Sequence, residues 1–77
     1  MKEEFKKIIE AYGWDTIASS NPLMDSYINP HKKGQRINYY FTSGTLTYQD
    51  NGAIEVIRKA TESDLEDILI KGNASVV

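Results

Sequence analysis

Seventy-seven residues make one small domain, and a chain of that size buries only about 60% of the surface exposed when it is unfolded, so its stability is marginal. Cys is absent, which removes disulfides and thiolate metal sites and favours an intracellular, cytoplasmic setting. Nine Lys and Arg against eleven Asp and Glu give a net charge of -2, which offers no whole-protein attraction for a polyanion, and no apolar run approaches the roughly 20 residues of a membrane span or the core of a signal peptide.

In chain order, "KEEFKKIIEAY" places Phe5, Ile8, Ile9 and Tyr12 at the i, i+3, i+4, i+7 spacing of a helix with one apolar stripe, within residues 1–13. Gly13 supplies the C-cap, and Trp14 folds back onto the stripe. "SSNP" at 19–22 is a loop. Leu23 to Asn29 is a short strand before the turn-rich "NPHKKG".

Arg36 to Thr42 and Thr45 to Gln49 are firmer strands, rich in β-branched and aromatic residues. A two-residue Ser43-Gly44 turn sets Thr42 against Thr45, Phe41 against Leu46, Tyr40 against Thr47 and Tyr39 against Tyr48. For the next connection, Asn51-Gly52 alone would put Tyr48 opposite Glu55. A three-residue Asp50-Asn51-Gly52 loop puts it opposite Ile54, with Leu46 opposite Val56, and is preferred because it buries both aliphatics. Thr61 to Asp64 forms an approximate capping box for a helix over 62–71, with Leu65, Ile68 and Leu69 as its buried stripe. Residues 72–77 read as a flexible tail.

The expected fold class is α+β. An N-terminal helix, an antiparallel meander of three to four strands over 23–59 and a C-terminal helix form a single domain, with both helices on one sheet face.

Successive strand residues alternate faces, so the run Tyr39, Tyr40, Phe41 must send one aromatic away from the core. With Ile37, Tyr39 and Phe41 inward, Arg36, Asn38, Tyr40 and Thr42 point outward, joined by Thr45, Thr47, Gln49, Glu55, Ile57 and Lys59. Tyr27 and Asp25 are added if the weak strand pairs alongside. Tyrosine combines large contact area with a polar tip, so Arg36, Asn38, Tyr40, Thr47 and Tyr27 are candidate contact residues. The basic knot of His31, Lys32, Lys33 and Arg36 adds Lys32 and Lys33.

Catalytic constellations are not legible in the sequence. His31 has neither Cys nor spaced acids beside it, and the serines lack a nucleophile elbow. The glycines form neither a dinucleotide fingerprint nor a P-loop. Glu3-Glu4 and Glu66-Asp67 fall on helix surfaces, away from any expected cleft. The expectation is a non-enzymatic binding module without cofactor, metal or membrane partner.

One alternative is a small-anion or nucleotide binder, with Arg36, Lys32 and Lys33 on phosphate and Tyr40 stacking a base. Another is single-stranded nucleic-acid binding. The helix-meander-helix order is also that of the double-stranded RNA-binding fold, but Glu62, Asp64, Glu66 and Asp67 stand where its basic helix would be, so nucleic acid is disfavoured. A homodimer formed through the face or a free strand edge is compatible with each alternative.

"GW" at Gly13-Trp14, "SSNPL" at Ser19 to Leu23 and "RINYYFTSGTLT" at Arg36 to Thr47, followed by a basic strand and a short acidic helix, resemble small uncharacterised proteins of bacteriophages and mobile elements. The resemblance implies a phage-type context: a small binding protein that inhibits a host or defence protein, or sequesters a small molecule, in the host cytoplasm. It implies no residue role.

Overall fold

The computed structural model describes residues 2–74. Helix α1 spans Lys2–Ala11 and turns the expected stripe into the core, with Phe5 and Ile9 fully buried and Ile8 and Tyr12 packed against them. Gly13 stops the helix at φ +88°. Its N–H donates to the Glu10 carbonyl at 2.9 Å, and the Trp14 N–H donates to the Ile9 carbonyl at 3.3 Å. This paired closure satisfies late helical acceptors and needs the left-handed residue that glycine supplies. The reversal brings Trp14 into the core, 2% exposed.

Five antiparallel strands follow in spatial order β1-β2-β3-β4-β5. They are β1 (Asp15–Ile17), β2 (Met24–Ile28), β3 (Gln35–Tyr40), β4 (Thr45–Asp50) and β5 (Ala53–Ile57). The expectation of three to four strands is short by at least one. β1 is a three-residue strand that pairs Thr16 with Tyr27, and its Thr16 hydroxyl donates to Glu10 Oε2 at 3.1 Å, tying it to α1.

Both hairpin registers differ from those expected. The β3–β4 connection uses four residues, Phe41 to Gly44, closed by the Gly44 N–H on the Tyr40 carbonyl at 2.8 Å with Gly44 at φ +76°. Tyr40 therefore opposes Thr45, Tyr39 opposes Leu46 and Asn38 opposes Thr47. The shift is by two positions, so every side chain that stays in a strand keeps its face, while Phe41 and Thr42 pass into the turn. Phe41, expected on the inner strand face, lies in the turn. It remains half-buried against the core with Lys2 Nζ 4.2 Å from its ring centre.

The β4–β5 connection is the two-residue one. Asn51 at φ +51° and Gly52 at φ +95° provide the consecutive left-handed residues of a type I′ turn, matched to the right-handed strand twist. Tyr48 opposes Glu55, and Leu46 opposes Ile57. This shift is by one position, so β5 is inverted relative to expectation.

The inner side chains form one cluster. Tyr27 opposes Ile37, which opposes Tyr48, and Tyr39 opposes Leu46. Phe5 stacks on Tyr39 with ring centres 4.3 Å apart, and Trp14 meets Tyr48 at 6.5 Å. Helix α2 (Glu62–Ala74) adds Leu65, Ile68 and Leu69. It opens with the expected capping box: the Asp64 N–H donates to Thr61 Oγ1 at 3.2 Å, and the Thr61 N–H donates to Asp64 Oδ2 at 2.9 Å.

Residues 72–74, expected in a tail, are helical, and Gly72 is buried. A Cβ on Gly72 would stand 3.1 Å from Trp14 Cζ2 and 3.3 Å from Gln35 Oε1, so the missing side chain is what lets the helix continue against the sheet. The rest of the expected tail, 75–77, lies outside the described residues.

A chain of amides closes this end of the core. Asn29 Nδ2 donates to Gln35 Oε1 at 2.8 Å, and Gln35 Nε2 donates to the Gly72 carbonyl at 3.0 Å. Trp14 Nε1 donates to Asn73 Oδ1 at 3.0 Å, and Asn73 Nδ2 donates to the Tyr12 carbonyl at 3.1 Å. The end of α1, the β2–β3 loop and the end of α2 are thereby joined by bonds made largely out of water, where leaving a partner unpaired is costly.

Candidate functional site

Strand pairing places Arg36, Asn38 and Tyr40 on the sheet face opposite Tyr39 and assembles three cross-strand rows there. Ile28, Arg36, Gln49 and Ile54 form the first row. Ser26, Asn38, Thr47 and Val56 form the second, flanked by Ile17 of β1. Met24, Tyr40 and Thr45 form the third.

The central row is internally bonded. Asn38 Oδ1 accepts from the Ser26 hydroxyl at 2.8 Å and from Arg36 Nε at 3.3 Å. One amide oxygen therefore anchors a buried hydroxyl and holds the guanidinium stem along the strand, a geometry in which less side-chain freedom is left to lose on contact. Tyr40 is half-buried between Met24 and Thr45. Arg36 and Tyr40, four residues apart on one strand, are separated by about 13 Å of backbone, a span suited to an extended partner.

Of the residues expected to form the site, the structure brings together Arg36, Asn38, Tyr40 and Thr47. Tyr27 is not among them: its pairing with Ile37 turns it to the core side, where it is 0% exposed, and Asp25, opposite Tyr39, goes with it. Met24, Ser26 and Ile28 occupy the Tyr40 face of β2 instead. Lys32 does not join Arg36 either, because its Nζ lies 3.6 Å from Asp50 Oδ1, and Asp50 accepts from the Tyr48 hydroxyl at 3.4 Å. Lys33 and His31 sit on the exposed loop, where the His31 N–H donates to Asn29 Oδ1 at 3.0 Å. The basic knot is thus dispersed, leaving Arg36 as its contribution to this face.

Glu55 and Ile57, expected on this face, lie on the other. Their places are taken by Ile54 and Val56, 61% and 53% exposed. These are the surface residues that sequence reasoning missed. The signal for them was the Asn51-Gly52 pair itself, the strongest short-range mark of a two-residue hairpin.

The tyrosines of the opposite face are electrostatically silent at neutral pH. Burial, followed by the charge of Asp50 and its hydrogen bond, and then Glu55, pushes the Tyr48 phenol up to about 12. Burial, followed by Asp25, Glu10, Glu3 and Tyr39, holds Tyr27 well above the ordinary phenol range. Among the described residues no group of three His, Cys, Asp or Glu side chains is placed to hold a metal ion, and no helix is long and apolar enough to cross a membrane.

No family model matches the chain, and no curated protein or solved structure matches it either.

Proposed function

We propose that the chain is a non-enzymatic protein-binding module in which both helices cover the Tyr39 face and the Tyr40 face meets the partner, in a phage-type role as an inhibitor of a host or defence protein. The observation that carries this reading is the composition of the second face. Arg36 and Asn38 are held by shared hydrogen bonds beside Tyr40 and Thr47, and exposed Ile54 and Val56 continue the surface to its edge. A polar, tyrosine-bearing centre beside an aliphatic margin has the chemistry of a protein contact surface. The helix arrangement draws on the Phe5–Tyr39 stack and on the approach of Gly72 to Gln35 and Tyr48, residues of one pleat parity.

The test is partner capture by immobilised protein from a host lysate, comparing wild type with Tyr40→Ala/Arg36→Ala. Proteins retained by wild type should be lost with the double variant, while its thermal midpoint stays within a few degrees because both side chains lie outside the core. Undiminished capture would refute the assignment.

A further inference from the structure

The two edges of the sheet are unlike. β1 is three residues long, carries Asp15 and is tied to α1 through Thr16 and Glu10. Short length and charge are the usual protections of a sheet edge. β5 has five residues, "AIEVI", four of them exposed, with one charge among them.

Its two-residue turn makes Asp50 and Ala53 a hydrogen-bonded pair, so Ala53, Glu55 and Ile57 spend their backbone groups on β4. Ile54 and Val56 therefore direct N–H and C=O away from the sheet. Among the described residues no strand pairs on the outer side of β5, so its aliphatic side chains stand beside outward-directed hydrogen-bonding groups.

The two sides of that edge differ in charge. On the Tyr40 face an added strand would lie beside Ile54 and Val56. On the other face it would lie beside Glu55 and a groove of about 270 Å³ lined by Glu55, Ile57, Asp64, Asp67, Ile68 and Lys71. Three carboxylates stand there against one ammonium, and Lys71 Nζ is already 3.2 Å from Glu55 Oε1.

We propose that the free edge of β5 accepts an extended segment of a partner protein as a sixth strand, the segment alternating β-branched apolar residues with Lys or Arg. Alternation places the apolar side chains beside Ile54 and Val56 and the cations over Glu55, Asp64 and Asp67. The added backbone satisfies Ile54 and Val56 in the manner of strand addition to an exposed edge. A second copy of this chain fits less well. The self-pairing that sets Ile54 against Val56 also sets Glu55 against its own equivalent, and like charges directly opposite are destabilising. The site shares the Ile54 and Val56 side chains with the margin of the Tyr40 contact surface, but its hydrogen bonds come from the β5 backbone and its charge from Glu55, Asp64 and Asp67, so it does not depend on Arg36 or Tyr40.

The test uses the ¹⁵N-labelled chain and two capped octapeptides, one alternating Val with Lys and the other Val with Glu. The Val-Lys peptide should shift the amide resonances of Ile54 and Val56, slow their hydrogen exchange, and bind roughly tenfold more tightly than the Val-Glu peptide. Glu55→Gln should narrow that preference without unfolding the chain, and Val56→Pro, which deletes an outward donor, should abolish binding. No shift at Ile54 and Val56 at millimolar peptide would overturn the proposal. So would equal affinity for both peptides, or a concentration-dependent doubling of the 8.7 kDa mass in the absence of peptide, which would identify the occupant as a second copy.

Discussion

Replacing Tyr27 by phenylalanine removes one oxygen atom from the core and leaves the ring in place. Tyr27 is 0% exposed, and its hydroxyl has no hydrogen-bond partner among the described residues. Burying a hydroxyl without a partner costs about 1–3 kcal/mol on mutational scales. Tyr27→Phe should recover much of that, raising the urea midpoint at unchanged slope and the thermal midpoint by about 4–8 °C per kcal/mol for a domain of this size.

The same substitution has a second signature at alkaline pH. Tyr27, Tyr39 and Tyr48 all ionise above the ordinary phenol value, burial being the first cause in each, and Tyr48 does so at about 12. Below about pH 10 both folded and unfolded chains hold these protons and nothing changes; above it the unfolded chain releases them first, so stability falls as pH rises through the folded values. Each such proton contributes up to about 1.4 kcal/mol per pH unit, so Tyr27→Phe should lose stability less steeply than wild type between pH 10 and 12. A loss of about 1 kcal/mol or more at neutral pH would mean that the hydroxyl is satisfied, and would refute the reasoning.

Two further substitutions test the amide-closed end of the core. Gly72→Ala gains about 1 kcal/mol of helix propensity but forces a methyl against Trp14 and Gln35, both held by hydrogen bonds, and overpacking costs about 1–3 kcal/mol. The expected net loss of about 1 kcal/mol is measurable by urea unfolding, and a gain would show that the contact yields. Asn73→Ala leaves Trp14 Nε1 and the Tyr12 carbonyl without that partner, with an expected loss of about 1–3 kcal/mol and a change in tryptophan fluorescence.

How much of the molecule is legible in its sequence differs from element to element, and the reasons are physical. Both helices could be read because their stripes repeat at helical spacing and their ends carry local chemistry, Gly13 for one and Thr61 with Asp64 for the other. The faces of Tyr39 and Tyr40 are readable because apolar Ile37, between polar Arg36 and Asn38, fixes the parity of β3. β1 was not, since three residues after a glycine cap give no periodicity, and its existence depends on β2 being present to pair with it. Tyr27 was misplaced because a lone tyrosine in a weakly alternating strand suits either face, and only the register Tyr27 to Ile37 decides. Gly72 reads as part of a tail because its value comes from Trp14, Gln35 and Tyr48, distant in sequence.

The two misread hairpins show why register matters more than strand identity for locating a surface. The β3–β4 loop is longer than expected by two residues, an even shift, so Tyr40 stays on the second face whatever its partner. The β4–β5 loop is shorter by one, an odd shift, so Ile54 and Val56 exchange faces with Glu55 and Ile57. The longer loop was preferred because it buried two aliphatics, yet turn chemistry opposed it: Asn51 and Gly52 both adopt left-handed conformations that a two-residue turn requires. Local backbone preference prevailed over side-chain hydrophobicity. An edge strand has only one neighbour, and α2 leaves β5 largely uncovered, so burying Ile54 and Val56 would have gained little. The aliphatics left at the surface form the margin of the Tyr40 face, and Glu55, sent to the other side, supplies the carboxylate on which the proposed preference of the free edge for cations rests.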